Sequence, residues 1–341
     1  MKSRCFGASE LRTSVIGFGT WPIGGARYGS SDDDAAIRAI HAALDAGITC
    51  FDTAPSYGNG HAEEVLGQAL GSRRSEALIV TKGGMIWDEK SFVLGQDSSR
   101  EFLVKGLDDS LRRLGTDYVD LFLLHWPDAT TPMAQIGENL EYLVASGKTR
   151  AIGVCNLTAD QLREIAGAAT SSPIVASQVG YSLFDRRWAD ETFATCLELG
   201  IGVMAYGPLA HGLLTGAITN ETMFDESDWR AAGVFFGQPL LTAGNRDQNF
   251  KVIEQLKVFA SAKHLSIAQL AIAWVLAHQP VTVALTGARN EMEITEAAKA
   301  STIELTESDI QEIKQVMSGA AGMTSSLPAG GTSQATRQQG E

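Results

Sequence analysis

The sequence has few cysteines and no long hydrophobic run. Its four cysteines, Cys5, Cys50, Cys155 and Cys196, show no CxxC spacing, which argues against a zinc site and against a disulfide framework. We therefore expect no metal centre and a reducing, cytoplasmic environment. No apolar run approaches about 20 residues, and the N-terminus has no long apolar stretch after its basic residues, so we expect neither a membrane span nor an export signal.

Positive charge is also scarce. The 341 residues include 27 Lys and Arg against 40 Asp and Glu, which gives a formal net charge of -13. Such a chain repels polyanions, so nucleic acid and anionic membranes are disfavoured as partners. Hydrophobic residues make up 44% of the sequence, which is enough for a large core and too many for a disordered chain.

The sequence does contain a regular alternation of short, β-branched apolar runs and longer segments with helical periodicity. The runs predict eight strands, at Ile16–Gly19, Thr49–Asp52, Leu78–Lys82, Val119–His125, Arg150–Val154, Ile174–Gln178, Gly202–Tyr206 and Val281–Leu285. The longer segments predict helices at Asp32–Ala46, His61–Leu70, Ser99–Leu114, Ala134–Ser146, Ala159–Ala168, Asp190–Leu199, Arg246–Lys263 and Ser266–His278. Eight such units favour an α/β fold closed into a (β/α)₈ TIM barrel with a parallel eight-stranded sheet. The absence of GxGxxG after the first strand agrees, because an open dinucleotide-binding sheet would carry it there.

Three segments lie outside the repeat. Cys5–Ile16 resembles a β-hairpin that could close the bottom of the barrel. Leu209–Asn245, rich in Gly, Thr and Asp, predicts a long loop and a candidate lid. Ser318–Glu341 has almost no bulky apolar residue and predicts a disordered, flexible tail, so the barrel domain is expected over residues 1–317 and the tail over 318–341.

Four polar side chains at the predicted strand ends could act together. Asp52, Lys82 and His125 end the second, third and fourth strands, and Tyr57 follows Asp52; the C-terminal strand ends are where such barrels place their active sites. A phenol is a poor proton donor near neutrality unless its anion is stabilised. An ammonium can do this, and a carboxylate can position that ammonium. Taken singly, each residue could be a cap, an ion-pair partner or a packing residue, but four on successive units favour a shared catalytic role.

Short motifs also occur one per predicted strand, in order along the chain. They are Gly17–Trp21, Phe51–Gly58, Val80–Lys82, Leu124–Pro127, Gly153–Asn156, Gln178, Tyr206–Leu209, Gly212–Gly216 and Gly287–Asn290. Together they resemble the successive signatures of the aldo-keto reductase family, of bacterial type. The resemblance implies reduction of an aldehyde or ketone to an alcohol by hydride transfer from NAD(P)H, with Asp52, Tyr57, Lys82 and His125 as catalytic residues. Tyr57 would be the general acid, Lys82 would lower the pKa of its phenol, and His125 would orient the carbonyl oxygen.

The resemblance also implies a cofactor site. Asn156 and Gln178 would hydrogen-bond the carboxamide of the nicotinamide, and the ring of Tyr206 would stack on it. The other implied contacts come from strand ends and from a loop where small residues let the backbone approach the pyrophosphate: Gly19, Thr20, Trp21, Asp52, Gly207, Pro208, Leu209, Gly212, Leu214 and Gly287. The glycines among them could instead serve only as turn formers.

The sequence departs from the family pattern at the adenosine end. Ala217 stands where a lysine is common, Glu293 where a basic or amide residue is usual, and Ala297 where an asparagine is usual. Arg289 remains; it could pair with a 2'-phosphate through its fork, or be a solvated residue at a helix start. A carboxylate at Glu293 would repel a 2'-phosphate and could accept from a free 2'-hydroxyl. The family favours NADP (NADPH), and Glu293 leaves NAD open.

Aromatic residues predict the substrate cleft. Trp21, Trp87 and Trp126 are expected at the same barrel end as Tyr57 and His125, and could wall a pocket around the substrate. Aromatic faces pack against apolar molecules and against the CH faces of sugars alike. Because similar sequences with a short Ser-Tyr-Gly-Asn-Gly loop act on sugars, polyols and small aldehydes, we expect a sugar-derived or small aldehyde as the small-molecule partner.

Three alternatives and one unknown accompany this interpretation. Lys82 could form a Schiff base in an aldolase, but an aldolase would not need Asn156, Gln178 and Tyr206. The potassium channel β subunits resemble this family, so a nicotinamide-sensing regulatory subunit is a second alternative. The third is an NAD-dependent sugar or polyol dehydrogenase, for which Glu293 is the main support. The residues leave the oligomeric state open, a homo-oligomer included.

Overall fold

The computed structural model describes residues 1–25, 32–88, 93–226 and 228–328. Within them the chain forms a closed barrel of eight parallel strands and two small antiparallel hairpins. The strands are β1 Ser3–Cys5, β2 Arg12–Ser14, β3 Ile16–Gly19, β4 Cys50–Asp52, β5 Leu78–Gly83, β6 Met85–Trp87, β7 Val93–Gln96, β8 Leu121–Leu124, β9 Ile152–Cys155, β10 Ile174–Gly180, β11 Gly202–Tyr206 and β12 Val281–Gly287. Strands β3, β4, β5 and β8 to β12 form the barrel, and β12 pairs with β3 to close it. The predicted TIM barrel is confirmed, and each of its eight predicted strands overlaps an observed one.

The barrel strands are apolar because both of their faces are buried. Every residue of β5 and of β8 is buried, as expected where helices cover the outside of a parallel sheet. Inside the barrel, Phe6, Cys50, Leu121 and Met204 belong to one apolar cluster. A second, larger cluster fills the layer between strands and helices. This packing on two sides holds the residues at the strand ends in fixed positions.

Ten α-helices occur in the described part of the chain. They are α1 Asp33–Asp45, α2 His61–Leu70, α3 Arg100–Leu114, α4 Met133–Ala145, α5 Ala159–Ala168, α6 Glu191–Leu199, α7 Arg246–Ala262, α8 Ile267–Leu276, α9 Glu291–Lys299 and α10 Glu307–Met317. Side-chain caps mark where they begin. Asp32 accepts a hydrogen bond from the Ala35 amide at α1, and Ser266 with Gln269 forms a capping box at α8. The eight predicted helices are confirmed, with small differences at their ends.

The N-terminal hairpin closes the end of the barrel at which the strands begin. β1 pairs antiparallel with β2, and Phe6 is fully buried. The Ala8 amide donates to the Gly200 carbonyl oxygen at 2.8 Å, just before β11. Gly7 has φ +52, and a Cβ there would lie 1.9 Å from the same oxygen, so this contact requires glycine. The predicted hairpin is confirmed, and its first strand begins at Ser3.

The first part of the predicted flexible tail is packed against the barrel domain. Ala321 exchanges two hydrogen bonds with the side chain of Asn249 in α7, at 2.8 and 3.0 Å, and Met323 packs against the core. We call residues 319–328 the C-terminal strap. Hydrogen bonds from side chains elsewhere in the chain satisfy part of the strap's backbone, which composition does not reveal. The division into a barrel domain over 1–317 and a flexible tail over 318–341 stays a prediction. Residues 329–341 lie outside the described residues.

No disulfide joins the described residues, and none of their helices could span a membrane alone. No single helix there is long and apolar enough to cross a membrane; α7 and α8 meet the length and composition criterion only as a pair, bent by 87°. All four cysteines are free thiols. Burial raises the pKa of the Cys50 thiol to about 12, and the nearby Asp52 carboxylate adds to this effect.

Candidate active site

Asp52 and Lys82 form a buried ion pair at the C-terminal ends of β4 and β5. Lys82 Nζ lies 2.6 and 2.5 Å from the two carboxylate oxygens of Asp52 and 2.8 Å from the carbonyl oxygen of Thr53. Burial by itself lowers the pKa of Lys82, but the Asp52 carboxylate and the neighbouring phenol raise it above its usual value overall. The lysine is therefore an ammonium held by oxygen acceptors.

Tyr57 contacts this ion pair from the mouth of the barrel. Its OH lies 3.1 Å from Lys82 Nζ. The turn that carries it depends on Gly58, which has φ +65 and where a Cβ would lie 2.2 Å from the carbonyl oxygen of Gly24. This close approach brings the 3-10 turn that contains Gly24 against Tyr57. As a result the rings of Trp21 and Tyr57 stack with their centroids 6.2 Å apart.

The Tyr57 phenol keeps its proton at neutral pH. Burial raises its pKa to about 12, while the charge of Lys82 lowers it and that of Asp52 raises it. The expected effect of Lys82 is thus present, but burial outweighs it, and the net shift is upward. The ammonium thus partly offsets the burial of the phenol and does not make it more acidic than usual.

His125 lies across from Tyr57, directly after β8. Its backbone amide donates to the Gly83 carbonyl oxygen at 2.9 Å, and its ring meets the Tyr57 ring edge-on with centroids 6.1 Å apart. Burial, together with the positive charge of Lys82, lowers the pKa of His125 well below its usual value. The imidazole is therefore neutral near pH 7 and can donate a hydrogen bond from one ring nitrogen. The structure thus brings together all four residues that the sequence predicted.

Asn156, Gln178 and Tyr206 lie next to this group, at the ends of β9, β10 and β11. Tyr206 OH donates to Asn156 Oδ1 at 3.1 Å, and Asn156 Nδ2 donates to the carbonyl oxygen of His125 at 3.4 Å. Gln178 Nε2 donates to the two carboxylate oxygens of Asp52, at 3.1 and 3.3 Å. The sequence did not predict this last pair of bonds, which join the predicted carboxamide-binding residue to the ion pair.

The donor set at these strand ends fits a nicotinamide. Two primary amides can hydrogen-bond a carboxamide, and the flat ring of Tyr206 offers a stacking surface. The hydroxyl groups of Thr20 and Thr286 are buried at the edge where β3 and β12 pair. Neither has a hydrogen-bond partner among the described residues. Buried hydroxyls of this kind are available to a bound molecule.

The loop after β11, predicted to cover a pyrophosphate, has unusual backbone geometry. Gly207 and Gly212 have φ +65 and +106, and His211 has φ +55 although it carries a side chain. A Cβ on Gly207 would lie 3.0 Å from the His211 ring. The Leu214 amide donates to the Leu209 carbonyl oxygen at 3.0 Å, which closes the loop on itself after Pro208. Left-handed backbone at residues other than glycine is concentrated at ligand sites in proteins, so this geometry supports a binding role for the loop.

The predicted adenosine end lies at the start of α9. Glu293 Oε2 accepts from the backbone amide of Arg289 at 2.8 Å, and Glu293 Oε1 lies 3.8 Å from Arg289 Nη2. Asn290 caps the helix by accepting from the Glu293 amide at 3.0 Å. Gly287 ends β12, where a Cβ would lie 2.9 Å from Pro22 Cγ. The charge of Arg289 is therefore already shared with a carboxylate at this point.

Residues 228–241, which we call the aromatic lid, add rings that the sequence did not identify. Trp229 stacks on Trp21 with centroids 5.9 Å apart. Phe236 meets Trp21 edge-on at 6.1 Å and lies 6.0 Å from the ring of Tyr206. The loop has no periodicity from which these positions could be predicted. A lid role for the loop over 209–245 stays a prediction, and Ser227 lies outside the described residues.

The three predicted tryptophans occupy different surroundings. Trp21 stacks on Tyr57, whereas Trp87 pairs with Val93 in the β6–β7 hairpin and Trp126 directly follows His125. Ring contacts among the described residues join Trp21 to Tyr57, and none of them includes Trp87 or Trp126. A substrate role for these two residues stays a prediction.

Comparison with known proteins agrees with the geometry. The Aldo/keto reductase family matches residues 15–318. The chain is 34% identical to the NADH-specific methylglyoxal reductase of Escherichia coli, over 93% of this chain and 98% of that protein. It is 33% identical to a probable voltage-gated potassium channel subunit beta of Oryza sativa, over 88% of this chain and 91% of that one. The glycerol dehydrogenase AKR11B4 of Gluconobacter oxydans has a similar structure, with a TM-score of 0.84 and 33% identity, covering 94% of this chain and 95% of that chain. The protein therefore belongs to the aldo/keto reductase family of oxidoreductases.

Proposed function

We propose that this protein reduces an aldehyde or ketone to an alcohol with NAD(P)H, and that Tyr57 supplies the proton. The observation that carries the proposal is the hydrogen bond between Tyr57 OH and Lys82 Nζ at 3.1 Å, with Lys82 bound in turn to Asp52. This arrangement joins a protonated phenol at the barrel mouth to a permanent buried cation. Such a pair can release a proton and stabilise the anion that remains.

The residues divide the chemistry among them. A dihydronicotinamide held by Asn156, Gln178 and Tyr206 would supply the hydride that reduces the carbonyl carbon. Tyr57 donates its proton to the carbonyl oxygen, the C=O π bond becomes the C–OH of the product, and the phenolate left behind is stabilised by the Lys82 ammonium. Neutral His125 can hydrogen-bond the same carbonyl oxygen and so fix its direction. Lys82 is thus an electrostatic partner, and its raised pKa argues against the Schiff-base alternative, which needs a neutral amine.

For the cofactor we propose that NADH is used at least as well as NADPH. Among the described residues, support for NADPH comes from Arg289, and its guanidinium lies 3.8 Å from Glu293 Oε1. A 2'-phosphate there would meet a carboxylate as well as a cation, whereas a 2'-hydroxyl could donate to that carboxylate. The similarity to an NADH-specific reductase supports the same choice.

For the substrate we propose a small or sugar-derived aldehyde. Trp21 stacks on Tyr57, and Trp229 and Phe236 contact Trp21 in turn, so aromatic rings line this side of the phenol. Aromatic faces also suit the CH faces of a short polyol chain. Methylglyoxal and glycerol, after which the similar reductase and dehydrogenase are named, are molecules of this size.

The test is Tyr57→Phe, which keeps the ring and removes the proton. Turnover of methylglyoxal with NADH should fall by about 100-fold or more, while NADH affinity measured by fluorescence titration stays nearly unchanged. Tyr142→Phe is the matched control, because Tyr142 lies in α4 with 46% exposure and should behave as wild type. Unaltered turnover of Tyr57→Phe would contradict the assignment.

A second candidate is the same chemistry in the opposite direction, as a dehydrogenase of a sugar or polyol. It is favoured by Glu293 and by the structural similarity to a glycerol dehydrogenase. Here Tyr57 would act as general base, so a phenol with a pKa of about 12 makes oxidation slow at neutral pH and faster as the pH rises. Measurable turnover of simple aldehydes by the purified chain alone would separate either enzyme from a nicotinamide-sensing regulatory subunit of the kind that channel β subunits suggest.

A further inference from the structure

The aromatic lid covers the ring on which a nicotinamide is proposed to stack. Phe236 lies 6.0 Å from the Tyr206 ring and 4.8 Å from the His211 ring, and its φ of +48 is left-handed. A planar ligand stacked on the face of Tyr206 that Phe236 approaches would therefore contact Phe236. Entry and exit of the nicotinamide require this part of the lid to move.

The tip of the lid is a compact unit that can move as a whole. Phe235 and Gln238 exchange two backbone hydrogen bonds, at 2.8 and 3.0 Å, and the Leu241 amide donates to the Gly233 carbonyl oxygen at 2.8 Å. These bonds are internal to the lid. The lid is therefore held in place by its contacts with the rest of the chain.

One such contact is the side chain of Arg187, in the loop after β10. Its guanidinium is fixed by two bonds to the Asp185 carboxylate, at 2.9 and 2.7 Å, and is 2% exposed. Its remaining nitrogen, Nη1, donates to the Phe236 carbonyl oxygen at 2.9 Å and to the Ser326 carbonyl oxygen at 3.3 Å. The same group thus binds the aromatic lid and the C-terminal strap.

Two further side chains join the lid to the strap. Asn249, fully buried in α7, donates to the Leu240 carbonyl oxygen of the lid at 2.7 Å and exchanges two bonds with Ala321 of the strap. Gln238 of the lid accepts from the Thr324 amide at 3.2 Å. Three separate residues therefore connect the same two segments, which are distant in sequence.

We propose that the C-terminal strap anchors the aromatic lid and so sets the rate at which the nicotinamide cofactor leaves. The inference rests on the proposed cofactor site. Arg187 acts as a positioning residue: because Asp185 holds it, it cannot follow the lid, and opening breaks its bond to Phe236. With the strap in place, Gln238 and the base of the lid at Leu240 are held as well, and the open state is less populated.

The test uses Gly322, the one strap residue with a left-handed φ, at +74. A Cβ there would lie 2.6 Å from the Pro239 carbonyl oxygen and from Asn245 Nδ2, at the base of the lid. Gly322→Val should therefore push the strap off the lid and leave Arg187 and Asp185 untouched. Ser325→Val is the matched control, since Ser325 is an exposed strap residue that receives the same side chain.

The measurement is the dissociation rate of NADH from the full chain by stopped-flow fluorescence, with NADPH displacement as a second probe. We expect Gly322→Val to dissociate about tenfold faster, as the loss of a few hydrogen bonds would produce, and Ser325→Val to match wild type. If Gly322→Val does not fold, Gln238→Met removes the amide that accepts from Thr324 and should raise the rate by about threefold. Equal rates in wild type and the folded variant would overturn the anchoring role alone. Failure of wild type to bind either nucleotide would instead overturn the proposed function and this inference with it.

Discussion

Two cation–carboxylate pairs of this protein differ in almost every physical respect. Lys82 and Asp52 are 0% and 4% exposed, at the ends of two packed strands, with Nζ 2.5 Å from the carboxylate. Arg289 and Glu293 are 58% and 40% exposed at the start of a helix, with their closest charged atoms 3.8 Å apart. The first pair lies at the proposed site of chemistry and the second at the proposed adenosine end.

This difference separates a pair needed for the proposed chemistry from a pair proposed to set the preference for NADH or NADPH. A buried pair has lost its water, so removing either member leaves an uncompensated charge and both are needed together. An exposed pair is screened by solvent and contributes little to stability, so either member can change at small cost. We expect substitutions at the first pair to affect folding and turnover, and those at the second to affect only which nucleotide is preferred.

The largest expected effect comes from breaking the buried pair. Lys82→Met leaves the Asp52 carboxylate without its cation, so the free energy of unfolding should fall by about 3 to 5 kcal/mol in urea titrations. The double variant Lys82→Met with Asp52→Asn removes both charges and should regain most of that loss. Arg289→Met should change the free energy of unfolding by less than about 0.5 kcal/mol. Similar losses in the free energy of unfolding for Lys82→Met and Arg289→Met would show that the buried and exposed pairs contribute equally to stability.

Substitutions at the exposed Arg289–Glu293 pair should change the relative affinities for NADH and NADPH. Glu293→Gln removes the negative charge beside Arg289, so the ratio of NADH to NADPH affinity should shift towards NADPH by about tenfold. Glu296→Gln, which makes the same change of charge three residues later in α9, should leave the ratio unaltered. Fluorescence titrations with both nucleotides measure it. An identical shift in the two variants would indicate a general effect of net charge and would remove Glu293 from the adenosine site.

The smallest expected effect is in the pH dependence. The pKa of Tyr57 is raised to about 12 by burial, so the proton needed for reduction is present throughout the neutral range and is lost only as the pH rises through that value. The pKa of His125 is lowered well below its usual value by burial and by Lys82, so the ring is already neutral there. The kcat/KM for aldehyde reduction should therefore vary by less than about twofold between about pH 6 and pH 9. A clear inflection near the ordinary pKa of histidine would mean that His125 is charged in the working enzyme.

The part of the site carried by strands could be predicted from the sequence, because regular secondary structure produces periodic apolar patterns. Asp52, Lys82 and His125 could be predicted from the ends of apolar runs, and Tyr57 from its turn beside Asp52. Trp229 and Phe236 could not, since the lid has no repeating pattern and its contacts join residues more than 200 positions apart to Trp21. The strap was missed for a related reason: Asn249, Gln238 and Arg187 stabilise it by hydrogen bonds from other elements, and its own composition is that of a tail.

The barrel, the order of its strands and the residue types at their ends follow from the order of residues, because periodicity and burial on both faces are local properties of each segment. The pKa values and hydrogen bonds of those residues depend instead on how the segments pack in three dimensions. Three features depend on distances between segments that are far apart in the chain. They are the upward pKa shift of Tyr57, the hydrogen bond from Gln178 to Asp52, and the hydrogen bonds from Arg187 to the aromatic lid and to the C-terminal strap. Electrostatic and hydrogen-bond energies vary with those distances and with the exclusion of water, and neither can be read from the order of residues.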